Sequence, residues 1–427
     1  MTKLKTGVIE GFYGIPWTYD ERISMIEFLA DMDMNEFIYA PKDDPYHNEK
    51  WRELYPAEKL SELERLAAIS DDNGIEFVWA IHPGQNLIKF EDYENEVAKI
   101  YNKYDQLHEA GVKSFALCLD DIDLNQAYED RDYHLRLVKD LIKHISKYEN
   151  KELLFVHPWY NSDWIDDKGT EYFDMFRDVD NVNIMWTGYD VVAPVRYEAN
   201  EKFIELLGKK PHIWFNWPVN DYKRDQIFME IFEFYDSTDF NYDSFVLNPM
   251  NQAELSKIAI FQAAEFFKDP TNYEPIESFK KALAYVDEKA AADLFAIADS
   301  FFGSDIYKRE DNKKYTEDMA IAKAYEAGDL KETVRLIDEK IAAIESYKVN
   351  HDNKLLYEEV EPFFEGLHYL LQAIKVVTTT GDFTMAEELY AKSKECKVRT
   401  YKDHSTEIED RVVKTSETLE NIYWKQI

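Results

Sequence analysis

Eight short runs of apolar, β-branched and aromatic residues recur in order along residues 1–272, and no other feature limits the fold as tightly. They fall at Thr6–Tyr13, Asn35–Ala40, Ile75–Ile81, Ser114–Leu119, Glu152–His157, Asn183–Trp186, His212–Trp217 and Ser244–Leu247. Stretches with helical spacing lie between them, among them Asp20–Met32, Leu60–Asp72, Glu94–Ala110 and His134–Lys147. Near-continuous apolar strands belong to parallel sheets covered on both faces. Eight strand–helix units in sequence predict an α/β chain with a (β/α)8 TIM barrel. An open doubly wound sheet shares the alternation. The count of eight, and the lack of a GxGxxG turn after the first run, favour the barrel.

From Tyr273 to Ile427 the character changes to helical patterns such as SFKKALAYVDEKAAADLFAIADSFF and LLYEEVEPFFEGLHYLLQAIKVV, with no convincing strand. Gly328–Asp329, Asn350–Asn353 and Gly381–Asp382 read as breaks. The expectation is a catalytic barrel over 1–272 and an all-α bundle of four to six helices over 273–427, without a fixed repeat period. Hydrophobic residues at 45% suffice for a large core. A formal net charge of −35 repels nucleic acid and anionic lipid, so neither is an expected partner. The two cysteines, Cys118 and Cys396, form neither a disulfide framework nor a zinc set. No metal or cofactor is expected. No secretory signal and no apolar run near the ~18 residues of a membrane span is visible, which reads as cytoplasmic, although a processed secreted chain would look the same.

Active sites of such barrels lie at the C-terminal ends of the strands. The residues there are Glu10-Gly11-Phe12-Tyr13, Pro41-Lys42-Asp43-Asp44, His82-Pro83-Gly84-Gln85-Asn86, Asp120-Asp121-Ile122-Asp123, His157 with Trp159-Tyr160-Asn161, Trp186-Thr187-Gly188, Asn216-Trp217-Pro218 with Asn220-Asp221-Tyr222, and Asn248-Pro249-Met250-Asn251. Carboxylates, amides and aromatic rings dominate, and phosphate-binding glycine turns are rare. That suits a neutral polyhydroxylated ligand. The 15% aromatic content fits sugar stacking and core filling equally. Asp120 and Asp121 stand together at a strand mouth, where repulsion and partial desolvation should part their titrations, leaving one acid and one anion for glycosidic cleavage. A metal set of Asp120, Asp121, Asp123 and His82 lacks any HxH support. Lys42 reads as a surface lysine, a Schiff-base nucleophile or a hydroxyl ligand. Asp43 and Asp44 beside it would keep it protonated, which favours the last.

The segments GVIEGFYGIPW (Gly7–Trp17), YAPKDDPYHNEKWRELYP (Tyr39–Pro56), FALCLDDID (Phe115–Asp123), WTGYDVV (Trp186–Val192), WFNWPVNDY (Trp214–Tyr222) and LNPMNQAELSKIA (Leu247–Ala259) resemble glycoside hydrolase family 84. That family comprises bacterial β-N-acetylglucosaminidases and eukaryotic O-GlcNAcases. The resemblance implies a retaining, substrate-assisted exo-β-N-acetylglucosaminidase acting through an oxazoline on N-acetylglucosamine-containing glycans or glycoproteins. Asp120 would orient the acetamido N–H, and Asp121 would be the acid/base. Tyr160 and Asn216 would serve the acetamido region, with Val192 near its methyl. Gly11, Lys42, Asp221 and Asn248 would bind hydroxyls, and Trp214 would wall the pocket. FVHPWY ahead of Tyr160 departs from many relatives. Families 18 and 20 use Asp-x-Glu or Asp-Glu pairs, and this chain has Asp-Asp. The reading from a different class is a carbohydrate-binding barrel without catalysis, against which the intact aspartate pair weighs.

Overall fold

The apolar runs become eight parallel strands: β1 (Lys5–Glu10), β2 (Glu36–Tyr39), β3 (Glu76–Ile81), β4 (Ser114–Cys118), β5 (Leu153–Val156), β6 (Val182–Trp186), β7 (His212–Phe215) and β8 (Ser244–Leu247). Each pairs with its neighbours in chain order and β1 pairs with β8, which closes the barrel. The structure is a computed structural model and describes residues 4–85, 88–308, 315–403 and 405–427. Asn86, named above after the third run, lies outside the described residues.

The strands are apolar throughout because both faces are buried. Ile9, Ile38, Ala40, Val78, Ala80, Ala116, Cys118, Leu154, Val156, Met185, Trp214 and Val246 form one interior cluster. Successive members on a strand are two residues apart, the period of a strand face. The residues between them are buried on the opposite face. Phe115 stacks on Tyr104 at 4.5 Å and Phe155 meets Phe176 at 5.3 Å between ring centroids. The runs Thr6–Tyr13 and His212–Trp217 outlast their strands, which stop at Glu10 and Phe215. Phe12 and Trp217 stay buried in the mouth loops, so their apolar character continues past the last ladder pair.

The helices that follow the strands are α1 (Tyr19–Asp31), α2 (Ala57–Asp72), α3 (Tyr93–Glu109), α4 (Leu124–Glu129), α5 (Arg131–Ile145), α6 (Asp167–Phe176), α7 (Tyr197–Leu207) and α8 (Ala253–Lys268). A capping box starts α1. Thr18 Oγ1 accepts from the Glu21 N–H at 3.3 Å, and the Glu21 carboxylate accepts from the Thr18 N–H at 2.6 Å. By contacts the chain gathers into two units, Met1–Trp217 with Phe234–Pro249 and Pro218–Glu233 with Met250–Ile427.

Besides α8, the second unit holds eight described helices: α9 (Pro275–Val286), α10 (Ala291–Ala298), α11 (Asp305–Lys308), α12 (Met319–Glu326), α13 (Leu330–Asn350), α14 (Lys354–Thr380), α15 (Phe383–Ser393) and α16 (Glu417–Trp424). Three of them have eight residues or fewer besides the terminal α16, hence more segments than the four to six expected. The three breaks are capping sites. Asp329, Asn353 and Asp382 each accept a backbone N–H at 3.0 Å to start α13, α14 and α15, and Gly381 ends α14 at φ +66°. A hairpin of β9 (Lys397–Tyr401) and β10 (Ile408–Val412) interrupts the helices. It was illegible in sequence because its residues are mostly exposed or half-buried, so no apolar alternation marks it. No helix among the described residues is long and apolar enough to cross a membrane.

Among the described residues five histidines are buried in the first unit, and one of them, His212, lies 3.1 Å from the Glu36 carboxylate. The other four, His47, His82, His134 and His157, are at most 2% exposed, and burial lowers each to about 3. They stay neutral in the fold where an unfolded imidazole protonates near pH 6.5. The unfolded chain therefore binds more protons between about pH 3 and 6.5, so stability is fully present above that window and falls as pH drops through it. Four such groups give a limiting slope of about 5 kcal/mol per pH unit. Urea midpoints measured from pH 7.5 down to 4.5 are expected to fall steeply. Midpoints flat across that range would show that the imidazoles do not resist protonation.

Candidate functional site

The interior alternation continues past the strand ends and places the polar side chains. Two residues beyond the interior positions Ile9, Ala40, Ala80, Cys118, Trp214 and Val246 stand Gly11, Lys42, His82, Asp120, Asn216 and Asn248. The apolar filling of the barrel thus ends in a polar layer at the C-terminal mouth.

Asp120 and Lys42 form the charged centre of that layer. Lys42 Nζ donates to Asp120 Oδ2, and both residues are at most 5% exposed. Burial works against the ammonium, but the anionic groups around it, Asp120 foremost, together outweigh burial and hold Lys42 above the ordinary lysine range. The foremost partner that keeps Lys42 charged is therefore Asp120. The expected partners are engaged elsewhere: Asp44 accepts from the hydroxyls of Tyr39 and Tyr55, both at 2.7 Å, and Asp43 accepts from the Gly14 N–H at 2.6 Å. His82 braces the pair. Its Nδ1 lies 3.5 Å from Lys42 Nζ and its Nε2 lies 3.1 Å from the Asp120 carbonyl oxygen. Because an ammonium only donates, Nδ1 is the acceptor and Nε2 carries the proton. Burial and the Lys42 charge keep this ring neutral, with its titration lowered to about 3. The second carboxylate oxygen, Asp120 Oδ1, is buried with no donor within hydrogen-bond distance among the described residues, His82 Nε2 lying 3.6 Å away.

Asp121 points elsewhere. Its φ of +54° lies in the left-handed region, rare for a residue with a side chain. Where Asp120 is buried, Asp121 is exposed. The Tyr13 hydroxyl donates to Asp121 Oδ2 at 2.7 Å and the Tyr160 hydroxyl to Oδ1 at 2.8 Å. Burial, and then the Asp121 charge, push both phenols above their ordinary range, so both remain donors. Adjacent aspartates thus hold different posts: one sealed against a lysine, one open between two tyrosines.

A second network fixes the opposite wall. Asn216 Nδ2 donates to the Val191 carbonyl at 2.8 Å. Asn216 Oδ1 accepts from Trp214 Nε1 at 2.8 Å and from Asn248 Nδ2 at 3.0 Å. Asn248 Oδ1 in turn accepts from the Gly11 N–H at 3.2 Å. Lys42 Nζ lies 5.6 Å from the Trp214 ring, within cation–π range. Val192 is half-buried beside the Val191 carbonyl. Gly11 has an ordinary φ, so the reason for glycine is room: a Cβ there would stand 2.5 Å from Trp214 Cζ2. Gly11→Ala is expected to cost about 1–3 kcal/mol by overpacking, because the indole is tethered through Asn216. A thermal midpoint equal to the parent's would show that Trp214 yields freely.

Two mouth carboxylates of the first unit, Glu10 and Asp123, are engaged away from this centre. Glu10 lies on the outer face of β1 and is held by Arg22 Nε at 2.7 Å and Nη2 at 2.8 Å. Asp123 caps α4, accepting from the Gln126 N–H at 2.9 Å. Asp221 opens a short turn, Asp221–Lys223, in the second unit, where its carbonyl accepts from Arg224 Nε at 3.0 Å. Sequence reasoning gave no role to Tyr13 and Gln85 and weighed His82 only as a metal ligand. The two-residue step beyond Ala80 was the signal that would have found His82. Tyr13 meets Asp121 from the loop after β1 and Gln85 meets Tyr13 from the loop after β3, and nothing in their spacing announces that.

A family model described as beta-N-acetylglucosaminidase (NAGidase) matches residues 6–299. The chain is 29% identical over 286 residues to Protein O-GlcNAcase of Rattus norvegicus and, with the same figures, of Mus musculus, covering 62% of this chain. It spans 30% of the length of those curated relatives. Among solved structures, CpGH84B matches with a TM-score of 0.82 at 25% identity, covering 100% of this chain and 77% of that one. CpGH84D matches at 0.80 and 24% identity, covering 99% and 75%. A mutant of Thermobaculum terrenum O-GlcNAc hydrolase matches at 0.77 and 21% identity, covering 92% and 88%.

Proposed function

We propose that this chain, which belongs to the β-N-acetylglucosaminidase family, glycoside hydrolase family 84, is a retaining exo-β-N-acetylglucosaminidase whose nucleophile is the acetamido oxygen of its own substrate. One observation carries the reading: among the described residues the buried Asp120 Oδ1 has no donor within hydrogen-bond distance, while its partner oxygen is held by Lys42. A buried carboxylate oxygen without a donor is costly, and the acetamido N–H of a bound sugar would satisfy it. So held, the acetamide presents its carbonyl oxygen to the anomeric carbon. That oxygen forms the new C–O bond as the glycosidic bond breaks. The leaving oxygen takes a proton from Asp121, and an oxazoline results. Water, giving its proton back to Asp121, then opens the oxazoline with net retention.

The other carboxylates named at the mouth of the first unit, Glu10, Asp43, Asp44 and Asp123, are engaged by Arg22, by the Gly14 N–H, by two tyrosines and by a helix cap, which supports a nucleophile from the substrate. Asn216 and Tyr160 would frame the acetamido group with Val192 near its methyl, Trp214 would wall the pocket, and Gly11, Lys42 and Asn248 would border the hydroxyls. Asp221 joins them on the sequence resemblance. We assign catalysis to a barrel over 1–272 and a separate helical domain to 273–427. The substrates are terminal N-acetylglucosamine on glycans or O-GlcNAc on glycoproteins. The test is release of a fluorescent aglycone from a β-N-acetylglucosaminide, compared with the matching β-glucoside. Turnover of the first alone is expected. Equal turnover of both would refute substrate assistance, and turnover of neither would leave a sugar-binding barrel without catalysis.

A further inference from the structure

We propose that Gln85 is a positioning residue for Asp121, the middle of a one-way chain of hydrogen bonds that keeps the Tyr13 hydroxyl pointed at the acid/base carboxylate. Asn48 Nδ2 donates to Gln85 Oε1 at 3.2 Å, Gln85 Nε2 donates to Tyr13 Oη at 3.0 Å, and Tyr13 Oη donates to Asp121 Oδ2 at 2.7 Å. This inference rests on the acid/base role given to Asp121 above.

The direction of the chain follows from its end. An ionised carboxylate only accepts, so Tyr13 must spend its one proton on Asp121. The phenol oxygen is then an acceptor, and the group facing it must donate. Gln85 meets that demand with its amide nitrogen, which turns its oxygen toward Asn48 and obliges Asn48 to present a nitrogen. The backbone is bent to supply this amide. Gln85 has φ +49°, so a glutamine occupies a region that disfavours any side chain, and such strain persists where the surroundings impose it. Gln85 touches no part of the Asp120–Lys42 pair in any contact described above, so its influence on the chemistry runs through Tyr13.

The groups that bear on Asp121 come from several elements. Tyr13 reaches it from the loop after β1 and Tyr160 from the loop after β5. Lys42 from the loop after β2, His82 from the loop after β3 and Cys118 at the end of β4 lie within its electrostatic reach, and Asp120 adjoins it in the chain. The two phenols are the hydrogen-bond donors that its carboxylate meets. Gln85 decides whether one of those donors is available: with an acceptor in its place, the Tyr13 proton is drawn away from Asp121 and the carboxylate holds its own proton to higher pH.

The experiment is the pH profile of kcat/KM for an alkyl β-N-acetylglucosaminide, with the full chain and its Gln85→Glu and Gln85→Leu variants. The alkaline limb reports the acid that must be protonated in the free enzyme. Gln85→Glu keeps the shape and the Asn48 contact but replaces a donor by an anionic acceptor. Its alkaline limb is expected to move up by about one pH unit, that of Gln85→Leu by less, and the acid limb in neither. A lower rate with both limbs unmoved would make Gln85 merely structural and overturn the proposal. Limbs that superimpose on the parent's would do the same. Should neither Gln85 variant fold, Asn48→Leu, one step further back, carries the same test through a smaller upward shift, and an unmoved limb there counts equally against it. A parent chain with no activity toward the alkyl glycoside or an activated aryl one would instead refute the functional reading itself.

Discussion

Asp121→Asn is expected to slow hydrolysis of β-N-acetylglucosaminides with poor leaving groups by roughly 10²–10⁴-fold, the usual worth of a positioned general acid. The loss should shrink as the leaving group improves, because an acidic phenol departs without a proton. Asp121 is suited to this by contrast with its neighbour. It is exposed, so the departing aglycone and the incoming water can reach it, whereas Asp120 is sealed. Among the described residues it forms no ion pair with Lys42, which Asp120 holds instead. Its left-handed backbone breaks the strand alternation, which would turn neighbouring side chains to opposite faces. The measurement is a plot of log kcat/KM against leaving-group acidity for parent and variant. A shallow line for the parent and a steep one for Asp121→Asn is the expected pair. Parallel lines, with equal losses for alkyl and dinitrophenyl glycosides, would take the acid/base role from Asp121.

Much of this site could be read from the sequence because a parallel barrel writes its geometry into the chain. Strands buried on both faces are apolar runs, and the first polar residues after them sit at the mouth. Lys42, Asp120, Asn216 and Asn248 were therefore findable one by one. Their partners were not. Spacing places a residue on a strand end, but which strand ends meet across the mouth depends on closure of the whole barrel. That is why Asp43 and Asp44, adjacent in sequence, looked like the counter-charges of Lys42, when the partner lies 78 positions away. Local backbone conformation was equally silent. Nothing in LDDID announces that Asp121 is left-handed, or that Gln85 is, since neither is a glycine. In the second unit, Asp329, Asn353 and Asp382 were legible as breaks because caps are local chemistry. The β9–β10 hairpin was missed because nearly all its residues are exposed or half-buried and carry no apolar signal.

Asp120 is where the deepest loss is expected, and the loss should not depend on the leaving group. If its free oxygen holds the acetamido N–H, Asp120→Asn disorients the nucleophile itself. An intramolecular nucleophile in good alignment is worth effective molarities of about 10⁵–10⁸ M, so even partial misorientation should cost about 10³-fold or more with activated aryl glycosides. The variant carries a complication that the structure identifies. Removing the Asp120 charge leaves the Lys42 ammonium buried without its counter-ion, which typically destabilises by about 3–5 kcal/mol. Asp120→Asn combined with Lys42→Met replaces the ion pair by a neutral pair and should recover most of that stability without recovering turnover. A stable double variant with restored activity would mean that Asp120 served the fold and not the acetamide. The parent enzyme supplies an independent check. Successive fluorination of the substrate's N-acetyl methyl withdraws electron density from the attacking oxygen and should lower kcat stepwise. A thiazoline mimic of the oxazoline should bind tightly, as analogues of the intermediate and its flanking transition states do. A rate indifferent to fluorination, or a glycosyl-aspartate trapped on the protein and seen by mass spectrometry, would move the nucleophile from the substrate to the chain and leave the unpaired oxygen of Asp120 as the attacking atom.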